Sequence, residues 1–597
     1  MDKNQVIGIV LISIMLFVYL FINQDNESST LNDLVQKENA ATEQKIDSIY
    51  NSIPEKRAID TSKAALKATH GTFASAAVGT EEEIILENED LKVTFTSKGG
   101  KVKQVILKKY TDYQEQPLLL LDEQSSQMQL MVEDKDLYSY FFEPTVNGKQ
   151  VSFSLTLDNG TKINQHYSLP EKGYLIDYTI DAPSDIALKN ATLRWNDKLR
   201  LLEKGRDESV NKSAINYYLA SSSFDDLGAG AAKEDKGEIN EGLKWVAMKQ
   251  RFFNASIIAK DFNFDKANLA MKGTDGNAPY LKNLNADIIV SSKALSGGKM
   301  QFYFGPNELE TLEKTKIEGF DKNIDLGWTL FAFFNKYVII KLFKLIENVF
   351  SNYGIVILIL VIIIKLALFP IAYRSYLSMA KMRELKPEID KIKESVGDDM
   401  QKQQQETMKL YRKVGVNPMS GCIPVLLQMP ILLALFNFFP NNIALRHQPF
   451  LWADDLSSYD SILDFGFPIP FYGDHVSLFT LLMTISTIVY TYINNKGNAQ
   501  AQGPMKSIGY IMPLIFMFVL NKFSSGLTYY YFVSNLITIS QQLLATRFID
   551  KDKIRETLEA NKQAYEKDGG KGGRKKSKFQ QRLDEAMKLQ EERKKKK

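Results

Sequence analysis

One cysteine, Cys422, occurs among 597 residues, so no disulfide can form within the chain. Any domain it exports to an oxidising compartment must be held by its hydrophobic core alone. Histidine is almost as scarce. His70, His166, His447 and His475 are scattered, and none stands at metal-ligand spacing from another. There is no GxxxxGK[ST] loop to cradle a phosphate and no serine-elbow motif, so nothing argues for ATP hydrolysis or a nucleophilic serine. No cofactor and no metal are called for, and the chain is not read as an enzyme.

Charge is missing only in places. The mean hydropathy of −0.21 is that of an ordinary soluble protein, but residues 355–364, 431–439, 478–493 and 508–520 carry no charge. Residues 23–67 and 549–597, by contrast, are strongly polar. Long uncharged runs with polar appendages mark a membrane protein. The net charge of +3 says little until it is divided by region.

Residues 6–22 are uncharged, near the lower length limit for a spanning helix. Phe21, Ile22 and Asn23 follow where a cleavage site would need small residues. Residues 1–22 are therefore read as a retained anchor, the alternative being a cleaved signal peptide with unusual flanks. Residues 23–85 form a polar linker without an apolar face. From there the texture alternates with period two, at 91–97, 102–107, 151–157, 174–180, 191–195, 255–258 and 301–304. Punctuated by glycine turn signals, these runs predict strands and hairpins, hence a soluble all-β, sandwich-like domain over 86–320. Residues 325–353 predict an amphipathic helix, with Trp328, Phe331, Phe334 and Tyr337 interleaved with Lys336, Lys341 and Lys344. It lies either in the headgroup layer or packed under the β-domain.

Five more spans follow, at 354–373, 418–439, 477–493, 507–520 and 527–548, the fourth of these short for an average bilayer. With the anchor they make an α-helical polytopic membrane protein of six spans, five of them forming a core. Residues 374–416 hold ten Lys/Arg against seven Asp/Glu, whereas 440–476 hold only Arg446 against five aspartates. The positive-inside rule then places 374–416, the 494–506 loop and both termini in the cytoplasm, with the β-domain outside.

Lys365 sits near mid-depth in its span, where a charge costs about 2.5–3.5 kcal/mol on insertion scales. Spans two to six contain no Asp or Glu to pair with it. Their polar residues are neutral: Gln428, Asn437, Ser534, Asn535, Ser540, Gln541 and Gln542. A cation among amides and hydroxyls describes a hydrophilic cavity whose counter-ion comes from a visitor; the alternative is snorkelling to the surface. Over 375–417 apolar residues recur at helical steps, which predicts a cytoplasmic helical hairpin. Met379 and Met382 on its apolar stripe suit adaptable contacts with partners, against the alternative of a plain packed hairpin. The basic tail, 549–597, contains the runs 574–578 and 593–597, fit for acidic lipid or ribosomal RNA.

Four strings resemble one family: NPMSGCIPVLLQMPILLAL at 417–435, YLSMAKM at 376–382, SGLTYYYFVSN at 525–535 and WVAMKQ at 245–250. They are similar to the YidC-type membrane protein insertases, specifically bacterial inner-membrane members with a large periplasmic domain. The resemblance implies a groove open to cytoplasm and lipid, which takes in nascent membrane proteins and releases their apolar helices into the bilayer. By motif position its cation is Lys365, its polar lining Gln428, Asn535 and Gln541, and its slide-side contacts Met429, Leu432 and Tyr531. The family usually has arginine where this chain has Lys365, so the charge is kept and the planar fork lost. Expected partners are nascent membrane proteins, membrane lipids, the Sec translocon and, through the basic tail, the ribosome. The competing function is a small-solute transporter or channel with a cationic intramembrane site, although no internal repeat is present.

Overall fold

The computed structural model describes residues 63–567 except 190, 231–232, 275–277, 398, 418–422, 471 and 497–503. The expected anchor at 1–22, most of the linker, and the basic runs at 574–578 and 593–597 lie outside the described residues. The alternating segments are strands, and their alternation is the reason. In Ala191–Arg200 every second side chain, including Leu193, Trp195 and Leu199, turns inward while Arg194 and Lys198 stay in water. Among the described residues these strands build antiparallel sheets of four, nine and six strands. The nine-stranded sheet places Leu175–Asp181 beside Met300–Pro306, far apart in sequence. Buried side chains from all three sheets merge into one core.

The amphipathic segment is two short helices, α1 (Thr329–Phe334) and α2 (Ile340–Glu347), joined by a π-helical turn over Asn335–Ile339. Asn335 explains the turn: its buried amide donates to Leu326 O at 2.9 Å and Ala434 O at 2.7 Å. Its apolar residues divide between two surroundings. Ile339, Phe343 and Ile346 pack into the helical core, while Trp328, Phe333, Tyr337 and Leu345 stay exposed. Lys336 reaches Asp321 at 2.6 Å and Glu313 at 2.9 Å, and Lys344 reaches Glu310 at 2.5 Å, so the basic residues tie α1–α2 to the end of the β-domain.

Beyond it runs α3 (Tyr353–Glu384), 32 residues long. Among the described residues it alone is long and apolar enough, by length and composition, to cross a membrane; Gly509–Leu520 is a shorter apolar helix. The expected break near residue 374 does not occur, because nothing from Arg374 to Glu384 disfavours helix. The hairpin arms are instead α4 (Lys386–Val396) and α5 (Met400–Lys413). The remaining helices are α6 (Ile423–Asn441), α7 (Leu478–Lys496), α8 (Pro504–Leu520), α9 (Ser525–Phe548) and α10 (Lys551–Lys567). The start of the tail is thus an ordered helix. Ile549, Ile554 and Leu558 bury against Leu385, Ile389 and Tyr411 of the hairpin, and Arg555 pairs with Glu384 at 2.7 Å.

The β-domain and the helices are joined by two exchanged arginines. Arg251, from the β-domain, donates to Pro440 O and Ser457 O, each at 2.8 Å, and pairs with Glu208 at 3.0 Å. Arg446, from the loop after α6, grips both carboxylate oxygens of Glu203 at 2.8 and 2.9 Å. Both guanidiniums lie over phenylalanine rings, Phe252 at 4.5 Å and Phe253 at 5.2 Å. Removing one member of such a buried pair costs about 3–5 kcal/mol. Arg446→Met should therefore lower the unfolding free energy of the detergent-solubilised chain by that order, and Glu203→Met/Arg446→Met should recover most of it. Equal losses in single and double variants would deny the pairing.

Two further buried cations sit inside the β-domain. Lys282 donates to Ser213 O and Gly228 O, each at 2.8 Å. Burial holds the ammonium groups of Lys249 and Lys282 down at about 8, against opposing pulls from nearby aspartates. Between pH 8 and the ordinary lysine range the unfolded chain binds more protons than the folded one, so stability rises with pH there. The unfolding free energy should climb from pH 8 to 9 by up to about 1.4 kcal/mol per lysine. Lys282→Met should flatten part of that slope.

Candidate functional site

Lys365 lies twelve residues into α3, about 18 Å along the axis at about 1.5 Å per residue. It is 5% exposed. The only acid on α3, α6, α7, α8 or α9 is Glu384, at the far end of α3 and already paired with Arg555. Among the described residues no carboxylate forms an ion pair with Lys365.

Neighbouring helices supply neutral polar groups. The Gln541 side chain of α9 donates to Lys365 O at 3.4 Å. One and a half turns earlier on α9, Asn535 donates to Ser486 Oγ at 3.0 Å and Thr487 Oγ1 at 2.8 Å on α7. Gln542 donates to Asn494 Oδ1 of α7 at 2.9 Å. The three helices α3, α7 and α9 therefore share a polar seam with α9 at its centre. Sequence reasoning missed the α7 side of it. Thr480, Thr484, Thr487 and Thr491 recur at four- and three-residue steps, a hydroxyl stripe that helical periodicity would have revealed. Thr484, Thr487 and Thr491 each donate back to a carbonyl one turn earlier, at 2.7–2.8 Å, which lets hydroxyls stand in an apolar helix.

Toward the β-domain the same helices change character. The Phe450 ring lies tilted 4.9 Å from Tyr529, Trp452 lies 4.4 Å from Phe479, and Phe479 lies 5.2 Å from Tyr529. Gly354 and Gly526, at the starts of α3 and α9, let this plug settle. A Cβ on Gly354 would fall 2.0 Å from the Phe450 ring, and one on Gly526 2.9 Å from Leu456 O. Aromatic rings thus gather at the β-domain end of the seam, while Lys365, Asn535 and Gln541 lie nearer the helical hairpin.

The other expected site residues are more dispersed. Gln428, Met429 and Leu432 lie together on α6, Met429 being 43% exposed and the other two half-buried. Among the described residues, no hydrogen bond joins Gln428 to Lys365, Asn535 or Gln541. Tyr531 is half-buried on α9, edge-on to Tyr530 at 5.8 Å. Met379 is half-buried and Met382 is 2% exposed, inside the cluster with Leu385, Ile389 and Tyr411. Met382 therefore takes the packing role, because α10 covers the face that the sequence leaves open.

Two family models match the chain: "YidC periplasmic domain" over residues 83–340 and "60Kd inner membrane protein" over 345–553. The chain is 43% identical to the membrane protein insertase YidC of Amoebophilus asiaticus, over 98% of each chain. It is 41% identical to that of Cytophaga hutchinsonii, over 99% of this chain and 98% of the other. A crystal structure of an active YidC insertase with its first transmembrane domain resolved is 20% identical, covering 82% of this chain and 97% of that one, with a TM-score of 0.33.

Hydrogen bonds between helices in a bilayer are worth about 0.6 kcal/mol on average and up to about 1.7. A double-mutant cycle of Asn535→Leu with Thr487→Val should return a coupling in that range, read from unfolding in detergent. A coupling of zero would mean that the contact does not hold α7 to α9.

Proposed function

The chain belongs to the YidC family of membrane protein insertases, and from that premise we propose that its polar seam is the groove through which client segments enter the bilayer. The carrying observation is the buried cation without an acid partner, set below an aromatic seal. A client's polar, acidic flank supplies the missing anion beside Lys365. Gln541, Asn535 and Gln428 offer it hydrogen bonds in place of water. The client's apolar segment meanwhile leaves sideways past Met429, Leu432 and Tyr531 into lipid.

In this reading α3, α6, α7, α8 and α9 each cross the inner membrane and, with residues 1–22, make six spans. The β-domain is periplasmic, and both termini and the α4–α5 hairpin are cytoplasmic. The charge asymmetry of the loops supports that orientation. The aromatic rings at the β-domain end support a groove closed toward the periplasm. No nucleotide is needed. Transfer of the client's apolar surface contributes about 25 cal/mol per Å², and the membrane potential adds about 2.3 kcal/mol per 100 mV for each negative charge moved outward. Clients arrive from the ribosome, held near the basic tail at 549–597, with the Sec translocon as a further partner.

Insertion into vesicles of a single-span client with an acidic outer tail tests the groove. Lys365→Arg should keep activity, while Lys365→Ala and Lys365→Glu should lose roughly tenfold, the factor that about 1.4 kcal/mol of lost attraction implies. Equal insertion by all variants at equal abundance would remove Lys365 from the mechanism.

A further inference from the structure

The loop between α6 and α7 holds a feature that insertion through the groove does not use. Residues 465–473 contain no charged side chain and include Phe465, Phe467, Phe471 and Tyr472. The strands Leu463–Ile469 and Gly473–Val476 pair antiparallel into a hairpin, with Leu463 opposite Val476 and Ile469 opposite Gly473. Leu463 and Phe467 are 56% and 60% exposed, unusual for apolar side chains on a short hairpin.

The hairpin is fixed to the end of α8. Asn521, buried just past that helix, donates to Tyr472 O at 3.0 Å and His475 O at 2.7 Å and accepts from Ser477 N at 2.9 Å. His475 Nε2 lies 2.8 Å from Asn521 O. The apolar surface is continuous across this joint. Phe518 of α8 meets Tyr472 at 5.4 Å, Tyr472 meets Phe465 at 6.4 Å, and Phe465 meets Phe467 at 6.1 Å. Along α8 itself Ile511, Leu514, Ile515 and Phe516 are exposed, and the helix packs chiefly on α7.

We propose that this hairpin is an interfacial foot, seated in the headgroup layer of the leaflet on the β-domain side. The inference rests on the reading of α8 as a lipid-facing span, and the row of rings from Phe518 to Phe467 extends that lipid face outward. Aromatic side chains favour this depth because an apolar ring and a wet boundary are both satisfied there. The flanking acids fit the same depth: Asp464 accepts from Ser461 Oγ at 2.6 Å and Asp474 lies 2.9 Å from His475 Nδ1, both exposed to water. Since α8 has only 17 residues, about 25 Å at about 1.5 Å each, the foot lengthens the apolar belt where the helix is shortest.

The test uses the full chain with Cys422→Ser and one cysteine at a time, at Leu463, Phe467, Ile515 or the exposed turn residue Asn159, each carrying a nitroxide. The protein is reconstituted in phosphatidylethanolamine–phosphatidylglycerol vesicles without client. Relaxation by oxygen, which concentrates in lipid, is compared with relaxation by a water-soluble nickel chelate. At 463 and 467 oxygen should be favoured several-fold over the ratio at 159, and at 515 more strongly still. Lipid-like values at 515 with water-like values at 467 would overturn the foot and leave the membrane reading standing. Water-like values at 515 would overturn that reading too. Shielding of 467 from both reagents would mean that protein covers the hairpin, and would overturn the proposal equally.

Discussion

Hydrocarbon offers no hydrogen-bond partner, so each polar atom on a helix within it must be met by a neighbouring helix or by water admitted between helices. The helical half of this protein is arranged around that constraint. Threonine hydroxyls of α7 turn back on their own carbonyls. Asn535 and Gln542 of α9 are met by α7, and Gln541 meets the backbone of α3. Lys365 carries the one buried ammonium among the described residues of these helices, and no carboxylate there forms an ion pair with it. The groove proposed above rests on that one imbalance, and the insertase activity of the family gives it a use.

The same constraint makes the sealed end intelligible. If water is to reach Lys365 from one side only, the other side must exclude it. Rings from the loop after α6 and from α7 and α9 fill that end, helped by two glycines that remove side chains from the contact. The exchanged arginines lie just beyond. Arg251 ends on the carbonyl of Pro440, near the end of α6, and on that of Ser457, in the loop that carries the plug, so the β-domain is tied to both.

Much of this was legible in the sequence, and what was not has a common cause. Lys365 stands out because a charge interrupts an apolar run, and the strands stand out because their alternation is local. Arg446 does not stand out. In an acid-rich loop it reads as a solvated charge, yet it is buried on Glu203, 243 residues away. The threonines of α7 are nearly neutral on any hydropathy scale and disappear into an apolar average. The helix Lys551–Lys567 was hidden by its charge density, since Ile554 and Leu558 acquire a meaning only once the hairpin they cover exists. The hairpin between α6 and α7 contains Pro468 and Pro470, which argue locally against a strand. Apart from the threonine stripe, whose period is local, the missing information is in each case a partner distant in the chain.

The uninterrupted length of α3 has a mechanical consequence. One rod carries both Lys365 and, nineteen residues later, Glu384, where α10 is fastened. At about 1.5 Å per residue those points are about 28 Å apart, so a tilt of about 5° about Lys365 swings the far end by about 2.5 Å. Whatever docks on the α4–α5 hairpin would thus have a lever on the helix that carries Lys365. The lever has one compliant joint: Pro370, five residues past the lysine, removes the rung to the Leu366 carbonyl and concentrates any bend there. Force applied at the hairpin is geared down before it reaches the charge.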